Sequence, residues 1–342
     1  MKVITFGEIM LRLAPPDHQR FVQADRFDAT YGGAEANVAV MLAQWGFDSH
    51  YITKLPTHAL GQAALNHLQR YGVRCDRVVR GGDRLGVYFL EQGAGHRPSQ
   101  VIYDRADAAI TTLRPADIDW KAVFDGAAWF HWTGITPALG EHARACVAAA
   151  CRAAQAVGAT VSCDLNYRAK LWTPETAQAA MVPLMDSVDV CMASTHAAED
   201  CLGVVVDTHG AEGGPPAVDA ALDVAHTLKR TFGFEAVSMT LRAPQSVRRH
   251  QYQAVLLDDA ACADTYTSPS YTLNIVDRVG GGDAFAGGLI AGLLRRADSR
   301  EALDGAVAAS VLKHTIPGDA NLATETEVDR LMQAGEAGPV ER

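Results

Sequence analysis

The sequence predicts an α/β fold: a three-layer αβα sandwich with a mainly parallel central sheet and a small β lid. Three observations predict it. Short apolar runs rich in β-branched residues alternate with longer helical stretches, glycines stand where the helical stretches stop, and two polar segments interrupt the rhythm. Strands separated by helical crossovers pair in parallel and carry helices on both faces.

Taken in order, Val3–Phe6 is an apolar run that reads as a first buried strand. The opening MKVITFGEIMLRL has no small-residue cleavage site and is interrupted by Glu8, so it does not read as a leader. Leu11–Tyr31 is polar, contains Pro15 and Pro16 and has no helical period. Ala34–Trp45 and Ala59–Tyr71 are expected helices, followed by Gly46 and Gly72. Gly86–Ile110 is strand-like at Val87–Glu91 and Gln100–Tyr103, with a turn at Gly93–Gly95. Further strands are expected at Ala128–Trp132, Thr160–Cys163, Val188–Met192 and Ala236–Met239. The helices between them are Glu141–Val157, ended by Gly158, and Val218–Phe232, ended by Gly233. Glycine just past a helix supplies the left-handed cap that other residues resist. Gly203–Pro216, rich in glycine and proline, reads as a surface loop. With no linker or repeat, residues 1–342 form one expected domain, its lid made from about 11–31 and 86–110.

Composition narrows the function. Of 342 residues 48% are hydrophobic and 20% charged, an ordinary globular balance that allows a large core. The longest apolar stretch, Ala284–Leu294, is bounded by Asp283 and Arg295 and falls short of the roughly 18 residues a membrane span needs. A net charge of −10 argues against nucleic acid as a partner. Seven cysteines without a CxxC pair fit reduced thiols and a cytoplasmic location rather than disulfides or zinc. Between Leu68 and Arg114, eight arginines outnumber five acids. That segment is either a solvated charged face or a basic wall toward an anionic ligand. A homo-oligomer is compatible with all of this.

The sharpest chemical feature is DRVGGGDAFAGGLIAGLLRR, from Asp277. Gly280, Gly281 and Gly282 open an apolar helix, where unpaired N–H groups and the positive end of the helix dipole cradle phosphate oxygens. Asp283 is either a plain N-cap or a carboxylate placed to take a proton from an attacking hydroxyl. Small residues along the helix, from Ala284 to Gly292, permit close packing.

This stretch resembles the D-T-x-G-A-G-D signature of the ribokinase-like, or PfkB, family of carbohydrate kinases, with Arg278 in place of Thr and Gly281 in place of Ala. YGGAEANVAVMLAQWG, from Tyr31, resembles the family's sugar-binding G-G-x-x-x-N-x-A helix start. The resemblance spans nearly the whole chain and implies an ATP- and Mg²⁺-dependent sugar kinase with a lidded αβα fold. Within the family, Val79–Ile110, DLNYRAKLW from Asp164, and KHTIPGDANL from Lys313 look like the 2-keto-3-deoxygluconate kinases. Carried over, Gly33, Tyr88, Tyr103, Arg105, Arg168 and Asp319 surround a small sugar acid, and Asp283 with Gly280–Gly282 is catalytic. Asn166, Thr240, Arg242 and Gln245 lie by the nucleotide, and Glu199 reaches the metal through water.

A keto acid carries a carboxylate that a guanidinium binds through two parallel hydrogen bonds, which suits Arg105 and Arg168. Fructokinase-like members tend to hold an aspartate where this chain has Arg12, which points the same way. The alternatives are a fructokinase-like or 5-dehydro-2-deoxygluconokinase-like member, or a catalytically silent sugar sensor. Two departures remain. The family's N-x-x-E reads His196-Ala-Ala-Glu199, and its K-x-G reads Thr240-Leu241-Arg242.

Overall fold

The computed structural model describes residues 1–205, 218–258, 265–295 and 298–334. The chain opens with β1 (Lys2–Phe6), β2 (Met10–Ala14) and β3 (Asp28–Gly32), then α1 (Ala34–Gln44), β4 (Asp48–Ile52) and β5 (Lys54–Leu55). Next come α2 (Ala59–Arg70), β6 (Val79–Arg80), β7 (Val87–Glu91), β8 (Gln100–Asp104), α3 (Trp120–Phe124) and β9 (Ala127–Thr133). The middle of the chain holds α4 (Glu141–Ala156), β10 (Thr160–Asp164), α5 (Pro174–Met185), β11 (Val190–Ala193) and α6 (Thr195–Leu202). It continues through α7 (Val218–Phe232), β12 (Ala236–Pro244), β13 (Arg249–Leu257), β14 (Thr265–Thr267) and β15 (Tyr271–Asn274). Three helices close it: α8 (Gly281–Arg295), α9 (Ser299–Lys313) and α10 (Glu325–Ala334).

Among the described residues the main sheet runs β14-β13-β12-β11-β10-β9-β1-β4, with β15 also on β13. From β12 to β4 every pair is parallel. The pairs made by β13 are antiparallel, an edge that the alternating pattern did not announce. Alternation along each strand divides the core. Ile4, Phe6, Phe130 and Trp132 pack with α4, α5 and α7 on one face. Val3, Trp129, Met192 and Tyr252 pack with α1, α8 and α9 on the other. Apolar burial on both faces is the main stabilising term.

Helix ends follow from local chemistry. Gly46, Gly72, Gly158 and Gly233 all have positive φ, between 73° and 86°. Thr173 caps α5 and Ser194 caps α6 through side-chain oxygens. The loop expected at Gly203–Pro216 lies, beyond residue 205, outside the described residues.

The two segments that broke the rhythm form a separate four-stranded sheet, β3-β2-β7-β8. Its register sets Arg12 beside Tyr88, and Tyr88 beside Tyr103. Side chains directly opposite on neighbouring strands share one face, so the three side chains project together.

Candidate active site

A cavity of about 790 Å³ opens beyond the carboxyl ends of the parallel strands. It lies where β1 is flanked by β4 on one side and β9 on the other, the switch point at which open α/β sheets bind ligands. Glu8 follows β1, Asp164 ends β10, Asn166 follows it and Ser194 follows β11; all four line the cavity. Tyr88, Leu90, Val101 and Tyr103 of the four-stranded sheet form one wall. Thr240, Arg242, Arg278 and Gly280–Gly282 also line it.

The three glycines of the cradle are required for three different reasons. Gly280 has φ +81°, and a Cβ there would stand 1.9 Å from the carbonyl oxygen of Asp319. A Cβ on Gly281 would meet the His314 ring at 2.3 Å. Gly282 faces open space and is exposed, so its N–H, in the donor-rich first turn of α8, is accessible to a ligand. Gly33 is glycine for lack of room: a Cβ would stand 1.9 Å from the carbonyl oxygen of Glu8.

Asp283, in the first turn of α8, faces the cavity and accepts a hydrogen bond of 2.6 Å from Asn37 Nδ2. Burial raises its carboxyl to about 6, opposed by the Asn37 bond and the Arg168 charge. Asp164 is pushed up to about 7, first by burial and then by the charge of Asp283. Asn37 also takes the Gly33 N–H on its Oδ1 at 3.5 Å. One amide thus ties the glycine-led starts of α1 and α8 together. Asn37 stands in the quoted G-G-x-x-x-N pattern, but its tie to Asp283, across 246 residues, had no signal in the sequence.

At the four-stranded sheet the positive charges are neutralised. Arg12 is buried, bonding Asp277 and Asp319 at 2.7 Å each, and it does not line the cavity. The argument that Arg12 favours an acidic substrate is therefore corrected: its charge is used inside the protein. Asp277 also accepts the N–H groups of Val279 and Gly318, at 3.1 Å each. Asp319 lines the cavity and receives the hydroxyl of Tyr88, whose phenol is held protonated by burial and by that carboxylate. Arg105 lines the cavity but is paired with Glu8. Burial raises the Glu8 carboxyl, and Arg105 opposes that rise. Of the two readings left open for Leu68 to Arg114, the charged face fits the structure better than a basic wall. Arg74, Arg77, Arg84 and Arg97 are paired with acids, and of that segment's arginines only Arg105 reaches the cavity.

Arg168 is exposed, lines the cavity and bonds only the carbonyls of Asn166 and Tyr167, at 3.3 and 2.9 Å. Tyr103 is half exposed, its ring 5.9 Å from that of Tyr88. Two expected contributors stand apart. Gln245 is exposed at the β12–β13 turn, and Glu199 is exposed on α6; neither lines the cavity. Asp200, the next residue, does. Among the described residues no three His, Cys, Asp or Glu side chains converge on a metal position.

Comparison with known proteins agrees with this architecture. The pfkB family of carbohydrate kinases matches residues 1–326. The chain belongs to that family. The kinase is 36% identical over 339 residues to 2-dehydro-3-deoxygalactonokinase of Haloferax volcanii, with 98% of each chain covered. It superposes on the crystal structure of 2-dehydro-3-deoxygluconokinase from Thermotoga maritima with a TM-score of 0.93, at 47% identity and 98% coverage of both chains. A putative ribokinase II from E. coli, solved with ATP and Mg²⁺, shares the fold with a TM-score of 0.78 at 20% identity, covering 97% of this chain and 99% of that one. The ribokinase-like α/β fold and the activity class, a carbohydrate kinase, follow.

Proposed function

We propose that this kinase transfers the γ-phosphate of ATP to the C6 hydroxyl of a six-carbon 2-keto-3-deoxy sugar acid, 2-keto-3-deoxygluconate first, with Asp283 as general base. The observation that carries the reading is Asp283 itself: a cavity-facing carboxylate raised to about 6, at the helix start that follows three glycines. Such a base is ionised at neutral pH yet keen enough to accept a proton. The names of the relatives from Thermotoga maritima and Haloferax volcanii support the substrate class.

Phosphoryl transfer asks the protein for positioning and charge neutralisation more than covalent help. The sugar oxygen attacks the γ-phosphorus, the bond to the β–γ bridging oxygen breaks, ADP leaves and the hydroxyl proton passes to Asp283. Gly280–Gly282 hold phosphate oxygens through backbone N–H groups, and Asn37 keeps the carboxylate aimed. Tyr88, Tyr103, Arg105, Arg168 and Asp319 surround the sugar acid. The four-stranded sheet acts as the lid that excludes water. Mg²⁺ suits this donor set: no all-protein cage exists among the described residues, and Mg²⁺ is ordinarily held by phosphates and one or two carboxylates. Asp164 and Asp200 are the carboxylates that would hold it, where it would neutralise phosphate charge.

The deciding experiment is an ATP-consumption assay over 2-keto-3-deoxygluconate, its galacto epimer, fructose, ribose and a 5-keto-2-deoxygluconate. The keto-deoxy acids should give the highest kcat/KM. Preference for fructose or ribose would overturn the substrate, and no turnover on any would favour a sugar sensor.

A further inference from the structure

Arg242 and Arg278 both line the cavity, one on β12 and the other just before Val279 and the glycine run. Among the described residues neither guanidinium makes a hydrogen bond or salt bridge to a protein acceptor. Arg242 lies over the Tyr252 ring at 5.5 Å. Arg278 itself and the two nearby histidines register that positive charge, while burial raises the Tyr252 phenol against the opposing pull of Arg242. Arg278 is lowered by burial and then by Arg242. His250 is lowered by burial, then Arg242, then Arg278. His314 falls to about 3 through burial and then Arg242. Both imidazoles are therefore neutral, and among the described residues no carboxylate pairs with either arginine. Like charges set side by side without a counter-ion repel, and a ligand that brings negative charge relieves the repulsion. Two converging cations beside a helix N-terminus match a polyanion better than a single carboxylate.

The same two positions are where the chain departs from the family pattern. Arg278 replaces the signature threonine. In the K-x-G element the lysine position is Thr240, and Arg242 stands where glycine is usual. The missing lysine charge thus has two replacements that line the same cavity and feel one another's charge.

We propose that Arg242 and Arg278 form a cation pair that grips the polyphosphate of the nucleotide together with the Gly280–Gly282 cradle, making Arg278 a substrate-binding residue of the transfer. This rests on the kinase reading above and names the groups that replace the usual lysine.

Inorganic tripolyphosphate, titrated calorimetrically without metal, isolates the contact from adenine, Mg²⁺ and turnover. Arg242→Met and Arg278→Thr should each weaken it by about tenfold to a hundredfold, the loss typical of one charge-assisted hydrogen bond. Each should raise the KM for ATP while leaving sugar-acid affinity in place. Arg278→Lys should recover most of the affinity, because a point charge still binds phosphate. Variants that keep native circular dichroism and unchanged tripolyphosphate affinity would overturn the pair, as would variants that lose the sugar acid instead. Wild-type protein that binds neither ATP nor tripolyphosphate would overturn the kinase reading itself. If wild type and all variants bind ATP alike, only the pair falls.

Discussion

Around the four-stranded sheet two arginines have carboxylates: Arg12 lies between Asp277 and Asp319, and Arg105 on Glu8. Arg242 and Arg278, which line the cavity with Thr240 and the glycine run, pair with none among the described residues, and each is felt by its neighbours as surplus charge. The same side chain therefore does two jobs in one cavity. A neutralised guanidinium fixes geometry, and its remaining donors read shape and hydroxyl position. An unneutralised one selects for anionic charge. Arg168, whose hydrogen bonds among the described residues go to carbonyls, stands between the two kinds, because its charge opposes the rise of both Asp164 and Asp283. We expect a substrate carboxylate to be read by Arg168 more than by Arg105, which is already paired with Glu8.

The largest effect is expected at Asp283, which faces the cavity. Asp283→Asn should lower kcat by about 10²–10⁴-fold, the usual worth of a general base. A loss under about tenfold would remove Asp283 from that role. In the wild type, kcat should fall as pH drops through about 6, where the carboxyl takes up its proton. Stability runs the other way. The folded carboxyl is raised above its ordinary 3.8, so its stabilising contribution is complete below that pH and is lost as pH rises through about 6. The asparagine variant escapes that loss, and its Tm at pH 8 should exceed that of the wild type.

Next in size is the stability contrast between the two kinds of arginine. Arg12→Met strands two buried carboxylates and should cost about 3–5 kcal/mol in urea unfolding. Arg242→Met, which removes a surplus cation, should leave the midpoint unchanged or higher. Equal losses in the two variants would break the comparison. The smallest effect concerns the sugar. Arg168→Ala should raise KM for the keto acid by about tenfold to a hundredfold and spare neutral ketoses. Arg105→Ala should penalise acid and neutral substrates alike, because it frees Glu8. An Arg105→Ala defect confined to acids would restore Arg105 as the carboxylate reader.

What could be read in the sequence was what is local. The strand at Val3–Phe6 and the helices capped by Gly46, Gly72, Gly158 and Gly233 depend on neighbours within a turn or two. The glycine run and Asp283 were legible because the cradle is contiguous. The β13 edge was not, since a hairpin partner and a crossover partner look alike in a short apolar run. Arg12 misled for a different reason. Its charge is cancelled by Asp277 and Asp319, 265 and 307 residues away, and nothing in a linear pattern records that pairing. Arg278 was visible only as a misspelling of a signature.

The other misspelling, Gly281, carries a lesson about how such a chain can change over time. The space an alanine methyl would need is filled by the ring of His314, which enters from the far end of α9. Restoring the alanine alone drives two side chains into one volume, and trimming the histidine alone leaves a void beneath the cradle. Either single step passes through a less fit intermediate, so the two positions are locked as a pair. A lineage that acquires the bulky ring must already hold the glycine, and the order of substitution is written into the packing.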